Sequence, residues 1–437
     1  MRGRGAHVAA VVAASSTLNP VDPPATTFRQ SIRLLTSRRF GIFWLASLMS
    51  NIGTWAQQTA QPWLLLSLGA SPMVLGLDAF ALGAPVLALT LLGGVLADRA
   101  DRRTVIASCQ LLQMLCPVAL VALLLSGTVR PWMVIALSLV VGVTDALSMP
   151  SFQTIVGSIV ERRQLPAGIA LNATQFNLSR ILGPSLAGVL MASVGAVGAF
   201  TVSAVSYLPF ILVAWWILPR GQPTPAPGGA ADPVAAEAVP GAVFAGARAV
   251  LAVPALRTAL LTMLVNSTLC SALLTFCPVL IKSVFQTDVN HFSLTMSAFG
   301  AGGLLGALGL LAVNQQRDPQ TLVARLALAY AVVVVLAALN PWAWLLPPLF
   351  LLGGLLMTAS NATANTALQS SAPPAIRGQS ISLFMLAMRG GVAVGGLVTG
   401  ASVAWLGVRE ALLLNGLLAI AAQLAVHRGR WRVAAPA

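Results

Sequence analysis

The sequence predicts an all-α membrane protein with about twelve transmembrane helices. Of its 437 residues, 57% are hydrophobic and only 8% are charged, and the mean hydropathy is +0.86, whereas about a quarter of the residues of a soluble domain are charged. Apolar runs such as LLQMLCPVALVALLLSG are long and lack the alternation of barrel strands. Because a helix needs roughly 20 apolar residues to cross a bilayer, the chain accommodates about twelve spans and one longer linker.

The apolar runs form two bundles of six helices. We predict spans at residues 41–66, 72–97, 104–126, 131–157, 167–190, 196–218, 257–282, 291–313, 321–339, 342–367, 379–404 and 408–427. The first bundle then covers 39–218 and the second 257–427, with tails at 1–38 and 428–437. Residues 219–256 form a linker, because its first part is too rich in Pro, Gly and Ala to bury a core. Its last part predicts a short amphipathic helix on the membrane surface.

The placement of positive charge predicts the orientation. Of the 25 Lys and Arg residues, 20 lie on the side of both termini, three on the other side (Arg130, Lys282 and Arg409) and two inside spans (Arg180 and Arg389). Cytoplasmic loops are enriched in Lys and Arg, so both termini are predicted to be cytoplasmic. The net charge of +14 therefore reflects topology, and we expect no nucleic-acid partner. Three His residues and four Cys residues, all of the Cys inside spans, predict no metal site and no cofactor.

Polar side chains recur at a spacing of three and four on spans 1, 4, 7 and 10. Such groups are costly in lipid and normally face a bundle interior or a water-filled cavity, so these four spans are expected to line a substrate cavity. The alternative is that the polar groups only join helices, at roughly 0.6 kcal/mol each. The candidate substrate-binding residues are Asn51, Trp55, Gln58, Gln61, Ser148, Asn266, Asn361, Asn365 and Arg389.

Four ionisable residues lie inside predicted spans: Asp78, Asp145, Arg180 and Arg389. Asp145 and Arg180 both lie roughly 18–20 Å from the cytoplasmic ends of their spans, which predicts a buried ion pair. Arg389 lies roughly 15 Å deep without an acid at that depth in span 10, so we expect it to face water and attract an anionic group. Asp78 and Asp145 are candidate proton carriers, although Asp78 could instead extend to water near the outer surface.

The segment GGVLADRADRR connects spans 2 and 3 and is a candidate gating loop. Its acids can cap a helix N-terminus, and its arginines can pair with acids or lipid phosphates, so its contacts can form in one conformational state and break in another. The alternative is that the loop only anchors the helix ends at the cytoplasmic surface. Its candidate gating residues are Gly94, Asp98, Arg99, Asp101, Arg102 and Arg103.

This loop resembles the motif Gly-x-x-x-Asp-Arg-x-Gly-Arg-Arg of the major facilitator superfamily, with Asp101 where most members have Gly. The Asp variant resembles the branch of the bacterial enterobactin exporter and macrolide-efflux-like proteins. The region from Asp145 to Leu190 is similar to that branch nearly throughout. Within span 5, a helix-packing segment resembles the superfamily's antiporter motif, with small residues in place of three of its glycines. Its residues are Ser179, Gly183, Pro184, Ala187 and Gly188.

The resemblance implies a secondary active transporter with the major facilitator fold, whose two bundles give alternating access to a central site. It implies a proton-coupled exporter of a small amphipathic molecule, a drug or a siderophore-like metabolite, in the bacterial cytoplasmic (inner) membrane; we expect a monomer. A solute importer and a passive carrier of the same fold are the alternatives. A membrane-embedded transferase would need clustered carboxylates, but Asp98 and Asp101 stand among arginines. No Gly-x-x-x-x-Gly-Lys-Ser/Thr loop occurs, so we do not expect ATP to drive transport.

Overall fold

The computed structural model describes residues 33–218, 247–312, 319–373 and 376–428. Within these ranges every regular element is helical, which confirms the predicted all-α class. Most of the predicted tails and most of the predicted linker lie outside the described residues. At the end of the linker, residues 247–252 are helical. The proposed domain boundaries stay predictions.

The first half of the chain folds into six helices, each near a predicted span. They are α1 (Arg38–Ser67), α2 (Pro72–Arg99), α3 (Arg102–Leu125), α4 (Pro131–Ile159), α5 (Leu165–Ser193) and α6 (Gly195–Ile217). Glycines with positive φ lie in two of their connections, Gly69 (77°) and Gly127 (68°), and at the first residue of α6, Gly195 (67°). Glycine adopts this backbone conformation without a steric penalty, so the chain can reverse within a few residues.

The described part of the second half contains another six long helical segments. They are α7 (Pro254–Val284), α8 (Val289–Ala312), α9 (Pro319–Leu339), α10 (Leu346–Ser371), α11 (Arg377–Leu406) and α12 (Val408–Val426). The sequence predicts α7 as one span, and the structure shows that it contains π-helical turns at Asn266–Cys270 and Leu280–Val284. Such turns are rare in proteins overall, but those that occur are often found at functional sites. In α7, the residues just after the first π-helical turn face the central cavity described below.

Ten helices among the described residues are long and apolar enough to cross a membrane. α1 and α5 are not among them, although they are as long as their neighbours. The reason is their polar content, which includes Asn51, Gln58 and Gln61 in α1 and Arg180 in α5. Side chains of both helices border the central cavity, where polar groups avoid lipid. The structure is thus that of a multi-pass membrane protein, and the count of twelve spans stays a prediction.

Most of the contact between the halves comes from two helix pairs, α2 with α11 and α5 with α8. α2 and α11 are antiparallel, because Gly76 lies against Gly400 while Gly83 lies against Ala393. The end of α2 therefore lies on the same side as the start of α11. Because successive helices reverse direction, α1 begins and α12 ends on that side too. We call it the terminal face, and the other side the opposite face.

Apolar side chains form three clusters that differ in how they connect the halves. The largest draws residues from both halves and includes Trp63, Leu75 and Phe292 near the opposite face. A second cluster, at the terminal face, contains residues of the first half only. The third, also at the terminal face, consists of second-half residues with Phe176 of α5 packed against it. The halves therefore share a core at the opposite face and have separate cores at the terminal face.

Candidate functional site

A cavity of about 200 Å³ lies between the two halves. Towards the opposite face, the rings of Trp63 (α1) and Phe292 (α8) stack across the halves with centroids 4.9 Å apart. Nζ of Lys282, on α7, lies 5.3 Å from the centroid of the Trp63 ring. These contacts join the two halves at the opposite face. The polar residues of the cavity wall are Thr54, Trp55, Gln57, Gln58, Thr59, Gln61, Asp78, Ser138, Arg180, Tyr207, Ser271, Thr275 and Arg389.

α1 supplies more of this wall than any other helix. Trp55, Gln58 and Gln61 follow one another at a spacing of three and all line the cavity. Asn51, the first residue of the predicted stripe, lies one turn nearer the terminal face and outside the lining. Its side-chain amide donates to the carbonyl oxygen of Ser47 at 3.0 Å. The stripe on span 1 thus divides into a cavity-facing part and one residue bonded within its own helix.

Asp145 forms an ion pair with Arg389 and not with Arg180. Nη1 of Arg389 lies 3.2 Å from Oδ2 of Asp145, so the pair connects α4 of the first half with α11 of the second. The side-chain amide of Gln113 donates to Oδ1 of Asp145 at 2.8 Å. The predicted Asp145–Arg180 pair is therefore wrong, and so is the prediction that Arg389 has no partner. The prediction rests on equal depth in consecutive helices, whereas α4 and α11 approach each other across the halves.

Arg180 and Arg389 both lie against the ring of Trp55. Their guanidinium carbons are 5.4 Å and 5.8 Å from its centroid, within the range of a cation–π interaction. Nη1 of Arg180 donates to Sδ of Met388 at 3.6 Å. Among the residues that the structure describes, Arg180 forms no salt bridge. The middle of the cavity wall therefore holds two cations, and one of them, Arg389, pairs with Asp145, which lies outside the lining.

Asp78 occupies the end of the cavity nearer the opposite face. The amide of Gln61 donates to both of its carboxylate oxygens, at 2.8 and 3.0 Å, and the hydroxyl of Ser138 donates to Oδ1 at 2.6 Å. The side chain is only 7% exposed. Asp78 is thus held by three donor contacts from the first half and does not extend to water as one reading of the sequence allowed.

Four other candidate binding residues lie outside the wall of the main cavity. Ser148 is buried, at 2% exposure. Asn266 donates to the hydroxyl of Ser360 at 3.1 Å, because the polar faces of α7 and α10 turn towards each other inside the second half. Asn365 accepts from Gln369 one turn further along α10. The fourth residue, Asn361, lines a side pocket of about 20 Å³ that also touches Arg180.

The candidate gating loop is only partly described. The side chains of residues 90–99 fall outside the described part, and with them three candidates, Gly94, Asp98 and Arg99. Asp101 is the N-cap residue of α3, but its carboxylate accepts from the hydroxyl of Thr104 at 2.9 Å and caps no backbone N–H. The guanidinium carbon of Arg103 lies 4.8 Å from the ring centroid of Trp215 in α6. Nε of the neighbouring Arg102 has no acceptor among the described residues. The described contacts therefore stay within the first half.

The helix-packing segment of α5 contacts helices of both halves. A Cβ atom at Gly183 would overlap the Cβ of Trp55 on α1, and one at Gly188 would lie 2.7 Å from the carbonyl oxygen of Ser293 on α8. Larger side chains would push these helices apart, which explains why small residues occupy the motif. The other members, one on the cavity wall and two fully buried, are Pro184, Ser179 and Ala187.

Sequence reasoning missed several members of the wall, chiefly on spans that look apolar. Tyr207 of α6 reaches the cavity and shares a hydrogen bond with Thr54 at 2.8 Å. It is one of only two tyrosines in the chain, and a lone phenol in an apolar span is a signal that could have found it. Met357 and Met388 gave no such signal, because methionine is common in packed cores.

A family model described as transmembrane secretion effector matches residues 31–436. The chain belongs to this family, within the major facilitator superfamily. The multidrug efflux pump Tap of Mycolicibacterium fortuitum is 27% identical over 346 residues, which cover 77% of this chain and 82% of Tap. The enterobactin exporter EntS of Shigella flexneri is 25% identical over 376 residues, covering 84% and 85%. A solved bacterial homologue of the lysosomal transporter Spinster has the same fold, with a TM-score of 0.68 at 14% identity, covering 93% of this chain and 99% of that one.

Membership confirms the resemblance seen in the loop and in spans 4 and 5. Secretion effectors of this superfamily are transporters, so the chain is a multi-pass membrane transporter and not an enzyme. The cavity between the halves is the natural candidate for its substrate site, because transporters built from repeated halves bind substrate at the interface between them.

Proposed function

We propose that this chain exports small amphipathic molecules across the bacterial cytoplasmic membrane by alternating access. The observation that carries the proposal is the arrangement of the cores: the halves share one core at the opposite face and have separate cores at the terminal face. A central site that is sealed by one interface and bordered by two independent bodies on the other side can change its accessibility by rocking of the halves.

The orientation of the cavity follows from charge. Of the 25 Lys and Arg residues, 20 lie on the side of the termini when twelve spans are drawn. We therefore take the terminal face as cytoplasmic, with both termini inside. In this state the cavity would receive molecules from the cytoplasm. The direction of export rests on the relatives, which are named as an efflux pump and an exporter.

The composition of the wall favours an amphipathic substrate. Leu75, Phe299 and Met357 line the cavity together with the two arginines. At about 200 Å³, the cavity is smaller than a typical ligand pocket of roughly 300–1,000 Å³. It fits a small drug, or one end of a siderophore-like molecule whose remainder would extend between the terminal-face cores.

Proton coupling is the final part of the proposal, with Asp78 and Asp145 as candidate carriers. Buried carboxylates in transporters commonly take part in proton relays. Asp78 lines the cavity from within a hydrogen-bonded cluster, and Asp145 pairs across the halves. Binding of a proton or a substrate would change the hydrogen bonds of Asp78 and the ion pair of Asp145.

Transport into inverted membrane vesicles tests the function. Vesicles from cells that overproduce the chain are given an imposed pH gradient and a panel of labelled amphipathic compounds. We expect uptake that exceeds uptake by vesicles without the protein and that collapses on addition of a protonophore. Uptake that is indifferent to the protonophore would identify a passive carrier. Accumulation in right-side-out vesicles instead would identify an importer.

A further inference from the structure

We infer that the site takes an amphipathic anion, whose charged group binds Arg180 and Arg389 together and displaces Asp145 from Arg389. This inference rests on the proposed transport function and narrows its substrate class. It differs from the sequence-based expectation, in which Arg389 alone attracts the anion. Of the two cations on the cavity wall, Arg389 has a carboxylate partner and Arg180 has none among the described residues.

The state of Arg180 is the first argument. A guanidinium group carries five N–H donors and no acceptor. In the described part of the chain, the one hydrogen bond from Arg180 goes to Sδ of Met388 at 3.6 Å, and a thioether is a weak acceptor. A partly desolvated charge without an anion is costly. Because Arg180 lines the cavity, a ligand anion can supply the missing acceptor.

The geometry of the Asp145–Arg389 pair is the second argument. The pair makes one contact, from Nη1 at 3.2 Å, and Nε of Arg389 has no acceptor among the described residues. Strong arginine–carboxylate pairs are usually bidentate, with distances of about 2.7–2.9 Å. A ligand carboxylate could therefore bind Arg389 better than Asp145 does. Gln113 would remain a hydrogen-bond partner for the displaced Asp145.

The polarity of the cavity is the third argument. The backbone of Arg389 lies level with Gly83 on α2, because a Cβ at Gly83 would be 3.2 Å from its carbonyl oxygen. Asp78 lies five residues earlier on α2, about 7.5 Å towards the opposite face. An anion is repelled from that end and attracted to the arginines, so the ligand enters with its charge at mid-depth. The ring of Trp55 beside both arginines offers an apolar surface for its body.

Displacement would also change what holds the halves together. Asp145–Arg389 is the one salt bridge among the described residues, and it joins the two halves. A bound anion would replace it by a link from Arg180 of the first half to Arg389 of the second. The charged connection between the halves would then depend on substrate.

Binding of two matched probes tests this inference. 2-Naphthoate and 2-naphthamide share one ring system and differ in charge. Isothermal titration calorimetry on the purified chain in an uncharged detergent should show naphthoate binding at least about tenfold more tightly. Equal binding of acid and amide would overturn the inference.

The arginine variants locate the anion. Arg180→Gln and Arg389→Gln should each weaken naphthoate binding about tenfold while changing naphthamide binding less than about twofold. Arg130→Gln makes the same chemical change at an exposed residue outside the cavity and should leave both unchanged. If Arg180→Gln leaves naphthoate binding intact, the two-arginine site is wrong.

The proposed displacement of Asp145 predicts that removal of this carboxylate strengthens binding, whereas removal of either arginine weakens it. If Asp145 competes with the ligand, Asp145→Asn should bind naphthoate several-fold more tightly than the natural chain, because the competing state is removed. If Asp145 instead orients Arg389 for the ligand, affinity should fall, and that result would overturn the displacement.

A measurement on an otherwise intact binding site covers the case in which Asp145→Asn does not fold. Spin labels at Glu161→Cys and Gln369→Cys lie one in each half at the terminal face, and the four native cysteines are buried. Naphthoate, but not naphthamide, should shift the distance between the labels. An unchanged distance would overturn the displacement. The binding assays do not require transport. The anion site can therefore be refuted while vesicle uptake succeeds, and vesicle uptake can fail while the anion site is supported.

Discussion

The two carboxylates at and beside the central cavity, Asp78 and Asp145, differ in what they connect. At the end nearer the opposite face, Asp78 is held by Gln61 and Ser138, and all three belong to the first half. At mid-depth, Asp145 of the first half pairs with Arg389 of the second, and the two side chains are 20% and 19% exposed. Asp78 is thus bonded within the first half, whereas Asp145 links the two halves.

This difference assigns different tasks to two chemically identical groups. When two bundles rock, hydrogen bonds inside one bundle persist, whereas a bond between bundles must lengthen or break. Asp78 is therefore suited to exchange a proton among fixed neighbours. Asp145 is suited to respond to the relative position of the halves and to the charge of a ligand.

Removal of the cross-half carboxylate should have the largest effect on stability. Asp145→Asn leaves Arg389 and Arg180 around Trp55 without an anion, so we expect a clear fall in melting temperature in detergent. Breaking a fully buried pair costs about 3–5 kcal/mol, and partial exposure places this pair below that range. Arg389→Gln should cost less, because Asp145 keeps its bond from Gln113.

The double variant Asp145→Asn/Arg389→Gln decides whether the two residues are coupled. It should melt above Asp145→Asn alone, because no uncompensated charge of the pair remains. Arg130→Gln serves as the control for loss of an arginine. Additive losses in this cycle would mean that the pair contributes nothing as a pair.

The carboxylate held inside one half should affect coupling more than stability. Asp78→Asn keeps the size of the side chain and removes its exchangeable charge, so gradient-driven uptake should fall to the level seen without a gradient. Exchange measured without a gradient should stay within about twofold, because it needs no proton relay. Ser138→Ala keeps the carboxylate and should keep the gradient response. Unchanged gradient dependence in Asp78→Asn would remove Asp78 as the carrier.

Two glycines of α5 extend the same comparison to helix packing. Gly183 faces α1 in its own half, and Gly188 faces α8 in the other half. Overpacking typically costs about 1–3 kcal/mol, so Gly183→Ala should lower the melting temperature.

Gly188→Ala should lower the melting temperature less and slow transport more, because the halves can separate to relieve the contact between α5 and α8. Gly309→Ala, where a Cβ meets nothing within 4 Å, is the control. Equal stability losses for the first two variants would contradict this distinction.

The helix order was predictable because the length of an apolar run reports directly on a membrane span. Span 1, predicted at 41–66, corresponds to α1 at Arg38–Ser67. The pairing of Asp145 was not predictable in the same way. Depth along a helix can be estimated from residue number, and the two estimates for Asp145 and Arg389 are compatible. Which helices meet across the cavity depends on how the bundles pack, and no periodicity within one span encodes that.

The polar stripes show a second limit of sequence. Periodicity identifies the polar face of a helix but not what that face meets. The stripe of span 1 meets the cavity through Trp55, Gln58 and Gln61, whereas Asn266 of span 7 meets Ser360 of α10. Both arrangements satisfy buried polar groups, so they give the same pattern in the sequence.

The smallest expected effect separates these two kinds of polar residue. Gln58 lines the cavity, so Gln58→Ala should raise the apparent KM for a transported probe about two- to fivefold, as expected for one hydrogen bond to a ligand. Asn365 accepts from Gln369 outside the cavity wall, so Asn365→Ala should change the KM less than about twofold, as is usual for substitutions away from a site. Vesicle uptake at graded probe concentrations, at matched protein levels, measures both. If Asn365→Ala had the larger effect, the substrate path would extend along α10 towards the terminal face, and the polar row on that helix would face ligand after all.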